Sequence, residues 1–500
     1  MKGRFLMETL VSWLNGYIWS PVLVFIFLGI GLVYSIATRF LQLRYVKEMA
    51  VLVFDSKSSS SGISSFQALA LSLGSRVGVG TIAGVATAIA YGGPGAVFWM
   101  WVTSFLGAST SFVETTLAQV YKSKQDGEFR GGPPYYIEKG LGIKWFAVLF
   151  AIVTMIVSAV LLPGVQVNAV SAAMDNAFGV EPVVTGFIFV VALGLVIFGG
   201  IKRIATASEF LVPIKTIAYL VVCFIVLLAN INELPSVIAL IFKSAFGMDA
   251  TFGGIIGSAI VWGVKRGVYA NAAGVGSETF GPASAEVSHP AKQGLVQAFS
   301  VYIDTLILCS ATAFMILVTG MYNVGSEGKS LIVNNIGNIE PGAINAQQAV
   351  ESVLPGFGSP FIAISLTLFA FTTLLSYYYT AETNLAFLNR NRKVKMVWPS
   401  YILRIGMVIA VFYSSVKTSA LAWALGDTGL GSMAWLNVIA LLLLTKPALK
   451  ILKDYENQKR EGKDPVFDPV KIGFKNADYW EGESKEKENS ERIERKNIPS

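Results

Sequence analysis

The sequence predicts an all-α integral membrane protein with eleven transmembrane helices: one leading helix, then a 5+5 inverted repeat in which helices one and six of the repeat are interrupted. Three observations support this prediction. Hydrophobic residues make up 53% of the 500 residues and charged residues only 14%, whereas about a quarter of the residues of soluble proteins are charged. Eleven apolar stretches approach the length of roughly 20 residues that a helix needs to cross a bilayer. Two of these stretches contain dense glycine clusters at matching places.

The predicted transmembrane helices follow one another with mostly short connections. Their approximate bounds are 17–38, 64–91, 94–121, 144–174, 182–201, 206–230, 252–285, 294–319, 360–388, 397–416 and 428–450. The chain is thereby divided into a leading transmembrane helix with a cytoplasmic linker (1–60), a first inverted repeat (61–235), a second inverted repeat (236–453) and a charged cytoplasmic tail (454–500). Because the tail has almost no apolar periodicity, we expect it to be a solvated extension.

Lys and Arg residues are distributed unevenly between the two sets of connecting loops. Sixteen lie on one side, in the loops at 39–63, 122–144, 202–203, 292 and 389–396, and five lie on the other. Because positively charged loops stay in the cytoplasm, we expect the amino terminus outside and the carboxyl terminus in the cytoplasm. The concentration of basic residues in short loops also argues against binding to nucleic acid.

Cysteine and histidine are too scarce for several kinds of site. Cys223 and Cys309 lie far apart within apolar stretches, which excludes a disulfide framework and a CxxC motif. His289 is the only histidine, so no histidine cluster binds a metal or relays protons. Beside Pro290, it is expected to be a solvated loop residue. An intramembrane enzyme is also disfavoured, because the chain has neither an HExxH nor a GxSxG motif.

Glycines are concentrated in two of the predicted helices. The first cluster, 73–84, contains Arg76, and the second, 262–278, contains Lys265 and Arg266. Glycine also allows close helix packing, but a basic side chain at this depth is costly in a helix that faces lipid. Because interrupted backbone is tolerated in a bilayer only where it lines a protein-enclosed cavity, we expect both helices to unwind around a binding site.

The two interrupted helices are the first and the sixth of the ten that follow the leading helix, and the loop charges give them opposite orientations. This pattern is typical of inverted-repeat secondary transporters, which bind substrate and ion where the unwound segments meet. Free N–H groups at helix amino termini suit a carboxylate, and free carbonyls suit a small cation. An amino acid and sodium meet both requirements. An ion channel, the alternative, should show a continuous polar stripe or a carbonyl ring.

Several motifs resemble those of the alanine or glycine:cation symporter family, within the amino acid-polyamine-organocation group. They cover roughly residues 60 to 450 and comprise Gly92–Trp101, Ser75–Gly78, Ile82–Ala86, Gly131–Tyr136, Lys265–Gly267, Ala273–Ser277 and Phe371–Leu375. The resemblance implies a carrier of the bacterial or archaeal cytoplasmic membrane that imports a small neutral amino acid, alanine or glycine, by alternating access. It also implies Na+ as the coupling ion, no organic cofactor, the lipid bilayer as surroundings and no obligate protein partner.

Three pocket motifs differ from the family pattern. Gly78-Val-Gly-Thr81 stands where Gly-Thr-Gly-Asn is usual, Asn271-Ala-Ala-Gly274 where Asn-Glu-Ala-Gly is usual, and Tyr377 where a tryptophan is usual. The first difference alters a hydroxyl and an amide expected near the substrate, and the second removes a carboxylate. Glutamine or another neutral amino acid as the substrate, and protons as the coupling ion, therefore stay open as alternatives.

The two breaks and the resemblance together predict the site residues. Expected substrate contacts are Gly78, Val79, Gly80, Thr81, Gln166, Tyr269, Asn271, Thr373 and Tyr377. Expected sodium ligands are Ser75, Gly78, Thr372, Thr373 and Ser376. Hydroxyls at these positions either bind the ion together with carbonyls of the first break or only bond back to the helix carbonyl four residues earlier. Arg76 and Glu278 are expected to form a gate or an orienting pair.

The remaining charges at membrane depth have a simpler interpretation. Such charges usually face protein or water, and five basic and five acidic side chains nearly balance, so mutual pairing within the bundle is expected for most of them. The set is Arg76, Glu114, Glu209, Lys215, Lys265, Arg266, Glu278, Asp304, Glu382 and Arg404.

Overall fold

The computed structural model describes residues 10–482 except 12, 55–61, 198–199, 326–330, 338 and 391–397. Seven of the described helices are long and apolar enough to cross a membrane, or eight if a bent helix pair at 65–92 is one span. The protein is therefore a multi-pass membrane protein. The apolar helix at Pro182–Ile197 has 16 residues, which is short for a span, so the count of eleven stays a prediction.

Up to residue 229, helices follow one another with one short hairpin between them. The α-helices are α1 (Pro21–Ala37), α2 (Leu41–Arg44), α3 (Val46–Leu52), α4 (Ser65–Arg76), α5 (Val85–Gly92), α6 (Gly95–Val120), α7 (Pro133–Leu141), α8 (Lys144–Ile156), α9 (Leu162–Phe178), α10 (Pro182–Ile197) and α11 (Gly200–Ala229). The antiparallel hairpin pairs β1 (Ser123–Gln125) with β2 (Glu128–Arg130). Two π-helical turns, Gly80–Gly84 and Val157–Leu161, interrupt the α-helices.

The part of the chain after residue 229 is also mainly helical. The α-helices are α12 (Leu234–Ala245), α13 (Ile256–Asn271), α14 (Phe280–Ala283), α15 (Pro290–Val301), α16 (Ser310–Val318), α17 (Ala343–Glu351), α18 (Gly358–Asn389), α19 (Trp398–Ser415), α20 (Ser419–Leu443) and α21 (Thr445–Arg460). A second antiparallel hairpin pairs β3 (Asn323–Gly325) with β4 (Leu331–Asn334). Short 3₁₀ turns lie at Ile231–Glu233, Gly253–Ile255 and Ser277–Thr279, and a π-helix at Tyr302–Cys309 joins α15 to α16.

Small residues allow α6 and α13 to lie in close contact at the centre of the bundle. A Cβ at Gly263 would lie 2.5 Å from the carbonyl oxygen of Ala96, and one at Gly267 would lie 3.2 Å from the side chain of Thr103. Without hydrophobic attraction between helices in lipid, such close van der Waals contact drives helix association. A Cβ at Gly80 would lie 3.0 Å from the ring of Tyr269 in α13, so the two glycine-rich segments are in contact as well.

The C-terminal segment is packed against the bundle, so the expected solvated extension is wrong for residues 454–482. Trp480 is only 2% exposed, and its indole N–H donates to the carbonyl oxygen of Gln119 at 3.0 Å. The amino group of Lys122 lies 5.1 Å from the same ring. The sequence pattern did not predict this docking, because aromatic side chains that are buried one by one leave no repeating pattern. Residues 483–500 lie outside the described part.

His289 is another departure from expectation, because it is fully buried and not a solvated loop residue. Its Nδ1 accepts the backbone N–H of Ala291 at 3.1 Å, so Nε2 carries the proton and faces Asp454 Oδ2 at 3.2 Å. The rings of Tyr455 and Phe467 lie 5.2 and 5.5 Å from the imidazole. Burial lowers the pKa of His289, and Asp454 only partly opposes this effect.

Three of the predicted cytoplasmic loops lie at the same end of the bundle as the C-terminal segment. Ion pairs join these three loops to it: Arg44 with Glu456 at 2.7 Å, Lys139 with Asp478 at 2.7 Å and Lys292 with Asp464 at 2.6 Å. Most of the basic loop at 389–396 lies outside the described residues. The shared end agrees with the loop assignment, while the direction of this end in the membrane stays a prediction.

Candidate substrate and ion site

The first interruption lies in the middle of the second predicted span. Helix α4 ends at Arg76, the next two residues are not helical, and a π-helix follows at Gly80–Gly84. The helical parts on either side are bent by 52°. A Cβ at Gly78 would lie 2.7 Å from Thr373 Oγ1 and 3.0 Å from Gln166 Oε1. Glycine is therefore required by the close approach of these two side chains to the unwound backbone.

The second interruption begins where α13 ends at Asn271. Ala272 has a left-handed backbone with φ 51°, and Gly274 and Gly276 follow with φ 85° and 88°. A left-handed alanine is uncommon and strained, and such strain is concentrated at functional sites. The carboxylate of Glu114 accepts the backbone N–H of Gly274 at 3.2 Å. Both glycine-rich helices are thus interrupted, as predicted.

Gln166 connects the first break to the neighbouring helices. Its Oε1 accepts the backbone N–H of Val79 at 3.1 Å, and its Nε2 lies 3.5 Å from Tyr377 Oη. Gly80 faces the ring of Tyr269, because a Cβ there would lie 3.0 Å from a ring carbon. Seven of the predicted substrate residues lie together in this way: Gly78, Val79, Gly80, Gln166, Tyr269, Thr373 and Tyr377.

An irregular stretch of helix precedes Gln166. The π-helical turn at Val157–Leu161 ends immediately before α9, and Pro163 stands in the first turn of α9. Wide turns and proline both change the direction in which later side chains point. The amide of Gln166 is 1% exposed and reaches the unwound backbone of the first break.

The other two predicted substrate residues, Thr81 and Asn271, lie in a second polar cluster. The hydroxyl of Thr81 donates to Asp304 Oδ1 at 3.0 Å. Asn271 Nδ2 lies 3.4 Å from the hydroxyl of Thr305. Residues from the first break and from the end of α13 therefore meet at a buried carboxylate, rather than at Gln166.

The predicted sodium ligands of α18 contact α4 through backbone carbonyls. Thr372 and Thr373 lie 3.2 and 2.9 Å from the carbonyl oxygen of Gly74, and Ser376 lies 3.0 Å from that of Leu71. Both threonine hydroxyls also lie within hydrogen-bond distance of a carbonyl one turn earlier in α18. The contacts are compatible with both interpretations of these hydroxyls, and their role as ion ligands stays a prediction.

A lysine already uses oxygens that an ion would need at this place. Lys215, in α11, is 3% exposed, and its amino group donates to the carbonyl oxygen of Val77 at 3.1 Å and to the hydroxyl of Thr372. The same amino group lies 4.6 Å from the ring centre of Phe369. A sodium ion at this place would compete with this amino group for the oxygens of Val77 and Thr372.

The predicted gate residues are joined through a neighbour instead of directly. Glu278 Oε1 accepts the hydroxyl of Ser75 at 2.9 Å, which connects the two broken helices. The guanidinium of Arg76 donates to the carbonyl oxygen of Gln297 at 3.1 Å and to the hydroxyls of Ser300 and Ser111. Arg76 therefore bonds the first break to α15 and α6, and a gating role for it stays a prediction.

Two residues near the pocket were missed from the sequence. Trp423 lies with its ring 5.0 Å from that of Tyr269. Asp427, in α20, pairs with Lys265 Nζ at 2.7 Å and Arg266 Nη1 at 2.9 Å. Trp423 and Asp427 both lie outside the predicted spans 397–416 and 428–450, whereas in the structure they belong to helix Ser419–Leu443. An acid in an otherwise apolar stretch was the available signal, since buried charges require partners.

Known proteins resemble this chain along nearly its whole length. A family model described as the sodium:alanine symporter family matches residues 4–469. A protein of Bacillus subtilis (strain 168), provisionally named a sodium/proton-dependent alanine carrier, is 60% identical over 95% of this chain and 98% of its own. The sodium/proton-dependent alanine carrier protein of Bacillus sp. (strain PS3) is 51% identical over 87% and 97%.

Two further comparisons bear on substrate and fold. A second Bacillus subtilis protein, provisionally named a sodium/glutamine symporter, is 42% identical over 92% of this chain and 93% of its own. A crystal structure of the manganese transporter of Eremococcus coleocola superposes with a TM-score of 0.51 over 80% of this chain and 89% of that one. With 14% identity, this second likeness concerns the fold alone.

The family and these relatives are carriers and not enzymes. The extent of the match covers both breaks, the Gln166 cluster and α18. The protein therefore belongs to the sodium:alanine symporter family and is a multi-pass membrane carrier that couples amino acid transport to a cation.

Proposed function

We propose that this protein is a sodium-coupled symporter that imports a small neutral amino acid, most simply alanine and also glycine, by alternating access. The observation that carries the proposal is the contact of the first break, at Gly78–Gly80, with Gln166, Tyr269 and Tyr377. Backbone N–H groups at such a break suit the carboxylate of an amino acid. The amide of Gln166 and the phenol rings of Tyr269 and Tyr377 provide polar and apolar groups that can contact the rest of a small substrate.

Close packing around the break favours a substrate with a small side chain. The ring of Tyr269 lies against Gly80, and Trp423 lies behind that ring. Gln166 and Tyr377 are at most 8% exposed, so a bound amino acid would be enclosed in this conformation. A methyl group requires less rearrangement of these side chains than a carboxamide does.

Glutamine is the second candidate substrate. The relative with 42% identity that is provisionally named a sodium/glutamine symporter favours it. Small residues beside the two breaks, Val79 and Ala272, leave room for a side chain larger than that of alanine. Competition of labelled alanine uptake by unlabelled glutamine separates the two candidates, since a pocket built for alanine alone should reject the larger side chain.

Alternating access requires two arrangements of the bundle around the same site. In our proposal residues 61–235 and 236–453 are inverted repeats, with the carboxyl terminus in the cytoplasm. The Ser75–Glu278 hydrogen bond joins the two broken helices, so a change at one break is transmitted to the other. Coupling then requires that amino acid and cation favour the same arrangement, each raising the affinity for the other by the same factor.

The test is accumulation of labelled alanine in proteoliposomes that contain the full chain. An inward sodium gradient should drive accumulation above the external concentration, and a sodium ionophore should abolish it. Gln166→Ala should reduce uptake about tenfold or more, because a hydrogen bond to a charged group is worth about 1.5–3 kcal/mol. Gln42→Ala is the matched control, since this buried amide contacts Ser35 near the leading helix. Alanine flux that only equilibrates would indicate a channel instead.

A further inference from the structure

A buried carboxylate lies between the first break and the end of α13. Asp304 is fully buried and belongs to the π-helix Tyr302–Cys309. Its Oδ1 accepts the hydroxyl of Thr81 at 3.0 Å, and its Oδ2 accepts the hydroxyl of Thr305 at 3.0 Å. Thr81 itself lies in the π-helix that follows the first break, and π-helical turns occur frequently at functional sites.

No basic side chain of the described residues forms an ion pair with Asp304. The contrast is Asp427, which has both Lys265 and Arg266 within 2.9 Å. The terminal nitrogens of Arg76 are directed instead at Gln297, Ser300 and Ser111. Ionised carboxylates in a dry interior need a partner of opposite charge. Asp304 is therefore surrounded by polar oxygens, and no basic group of the described residues lies at ion-pair distance from it.

The groups around Asp304 are those that a small hard cation prefers. Carboxylate, hydroxyl and carbonyl oxygens are the usual ligands of such ions. The hydroxyls of Thr81 and Thr305 keep free lone pairs while they donate to the carboxylate, and the carbonyl oxygen of Arg76 lies 3.3 Å from Thr81 Oγ1. The site on the other side of the break differs, because Lys215 takes the oxygens of Val77 and Thr372 there.

We propose that Asp304, Thr81 and Thr305 form the binding site of the coupling sodium ion. The inference rests on the proposed function and names a different place from the one expected at Thr372 and Thr373. Thr81 adjoins Gly80, which faces the ring of Tyr269. An ion that holds Thr81 against Asp304 fixes the turn that adjoins Gln166 and the proposed substrate site. Sodium binding would thus order the amino acid site before the amino acid arrives.

The test measures sodium binding and transport separately. In detergent without amino acid, sodium chloride should raise the Tm of the purified full chain more than choline chloride does, because a ligand that binds only the folded state stabilises it. Asp304→Asn should remove this sodium-specific shift. In proteoliposomes it should raise the sodium concentration for half-maximal alanine uptake about tenfold or more, as expected for the loss of a charged ligand.

Threonine variants keep the test decisive if Asp304→Asn does not fold. Thr81→Val and Thr305→Val remove one hydroxyl each with little change in shape, and each should weaken sodium dependence. Thr312→Val is the matched control in α16: it is fully buried as well, and its hydroxyl contacts only Leu308 and Tyr219. Its sodium dependence should equal that of the wild type.

The outcomes separate this inference from the proposed function. If the wild type responds to sodium and the three variants respond at the same concentrations, the site at Asp304 is wrong and sodium symport stands. If the wild type ignores sodium and accumulates alanine on a proton gradient, the sodium site and the choice of sodium are both wrong. Loss of the sodium response in the variants of Asp304, Thr81 and Thr305, with Thr312→Val unchanged, supports the site.

Discussion

Gly78→Ala tests whether the first break is the substrate site. The added Cβ would lie 2.7 Å from Thr373 Oγ1 and 3.0 Å from Gln166 Oε1, closer than almost any real contact of a Cβ. Because the backbone of Gly78 lies outside the left-handed region, the free-energy cost of the added methyl group is steric and includes no backbone strain. Overpacking of this kind costs about 1–3 kcal/mol. If displacement of Gln166 relieves it, alanine affinity should fall by a factor of about 5 to 150.

The assay compares alanine binding and uptake with those of Gly84→Ala. Gly84 is the last residue of the π-helix that follows the break, and an added Cβ there meets nothing closer than 3.7 Å. Both variants should unfold at similar temperatures, while only Gly78→Ala should lose affinity for alanine. Equal affinities within a factor of two, with Gly78→Ala properly folded, would refute the placement of the substrate against Gln166.

Three further predictions concern groups outside the pocket. Trp480→Ala should expose the C-terminal segment to trypsin, since removal of a buried tryptophan costs about 3–5 kcal/mol of stability. Trp145→Ala is the control, because the side chain of Trp145 is 71% exposed. Equal cleavage rates of the two variants would contradict the docking. Asp427→Asn should destabilise the bundle by about 3–5 kcal/mol, because it removes the carboxylate that forms ion pairs with Lys265 and Arg266. A Tm within 1 °C of the wild type, roughly the resolution of the measurement, would contradict the pairing. His289 should make docking of the C-terminal segment sensitive to acid. The pKa of His289 lies below its ordinary 6.5 in the folded state. The stability that the neutral imidazole contributes is therefore complete above pH 6.5 and is lost as the pH falls through the lowered pKa. Cleavage by trypsin at low pH should increase for the wild type and less for His289→Gln.

The breaks could be predicted from the sequence because each leaves a local signature. Glycines and basic residues at bilayer depth are costly in an intact helix that faces lipid, so their presence at 73–84 and 262–278 indicates enclosed, unwound backbone. The predicted substrate residues around Gln166 could be identified from the sequence because the motifs that resemble the family's point to particular positions in the chain. Seven of them lie together in the structure.

The proposed ion site could not be chosen from the sequence, because it depends on which buried side chains become neighbours in the fold. Lys215 and Asp304 were both visible as charges within apolar stretches, and mutual pairing was the simplest expectation for them. In the fold they lie in different surroundings: Lys215 donates to the oxygens of Val77 and Thr372, whereas Asp304 faces hydroxyls. No local pattern distinguishes these cases, since each contact joins residues more than 100 positions apart or depends on a π-helical turn.

The amino-acid sequence alone determines that this chain is a membrane protein and that two of its helices break, and it predicts a small solute as the ligand of those breaks. These properties follow from composition and from local backbone energetics in lipid, where unpaired N–H and C=O groups cannot face the hydrocarbon. Only the tertiary structure decided that the C-terminal segment docks, that His289 is buried and that Asp304 meets Thr81. The physical reason is that burial and pairing are properties of packed neighbours, which distant parts of the chain supply.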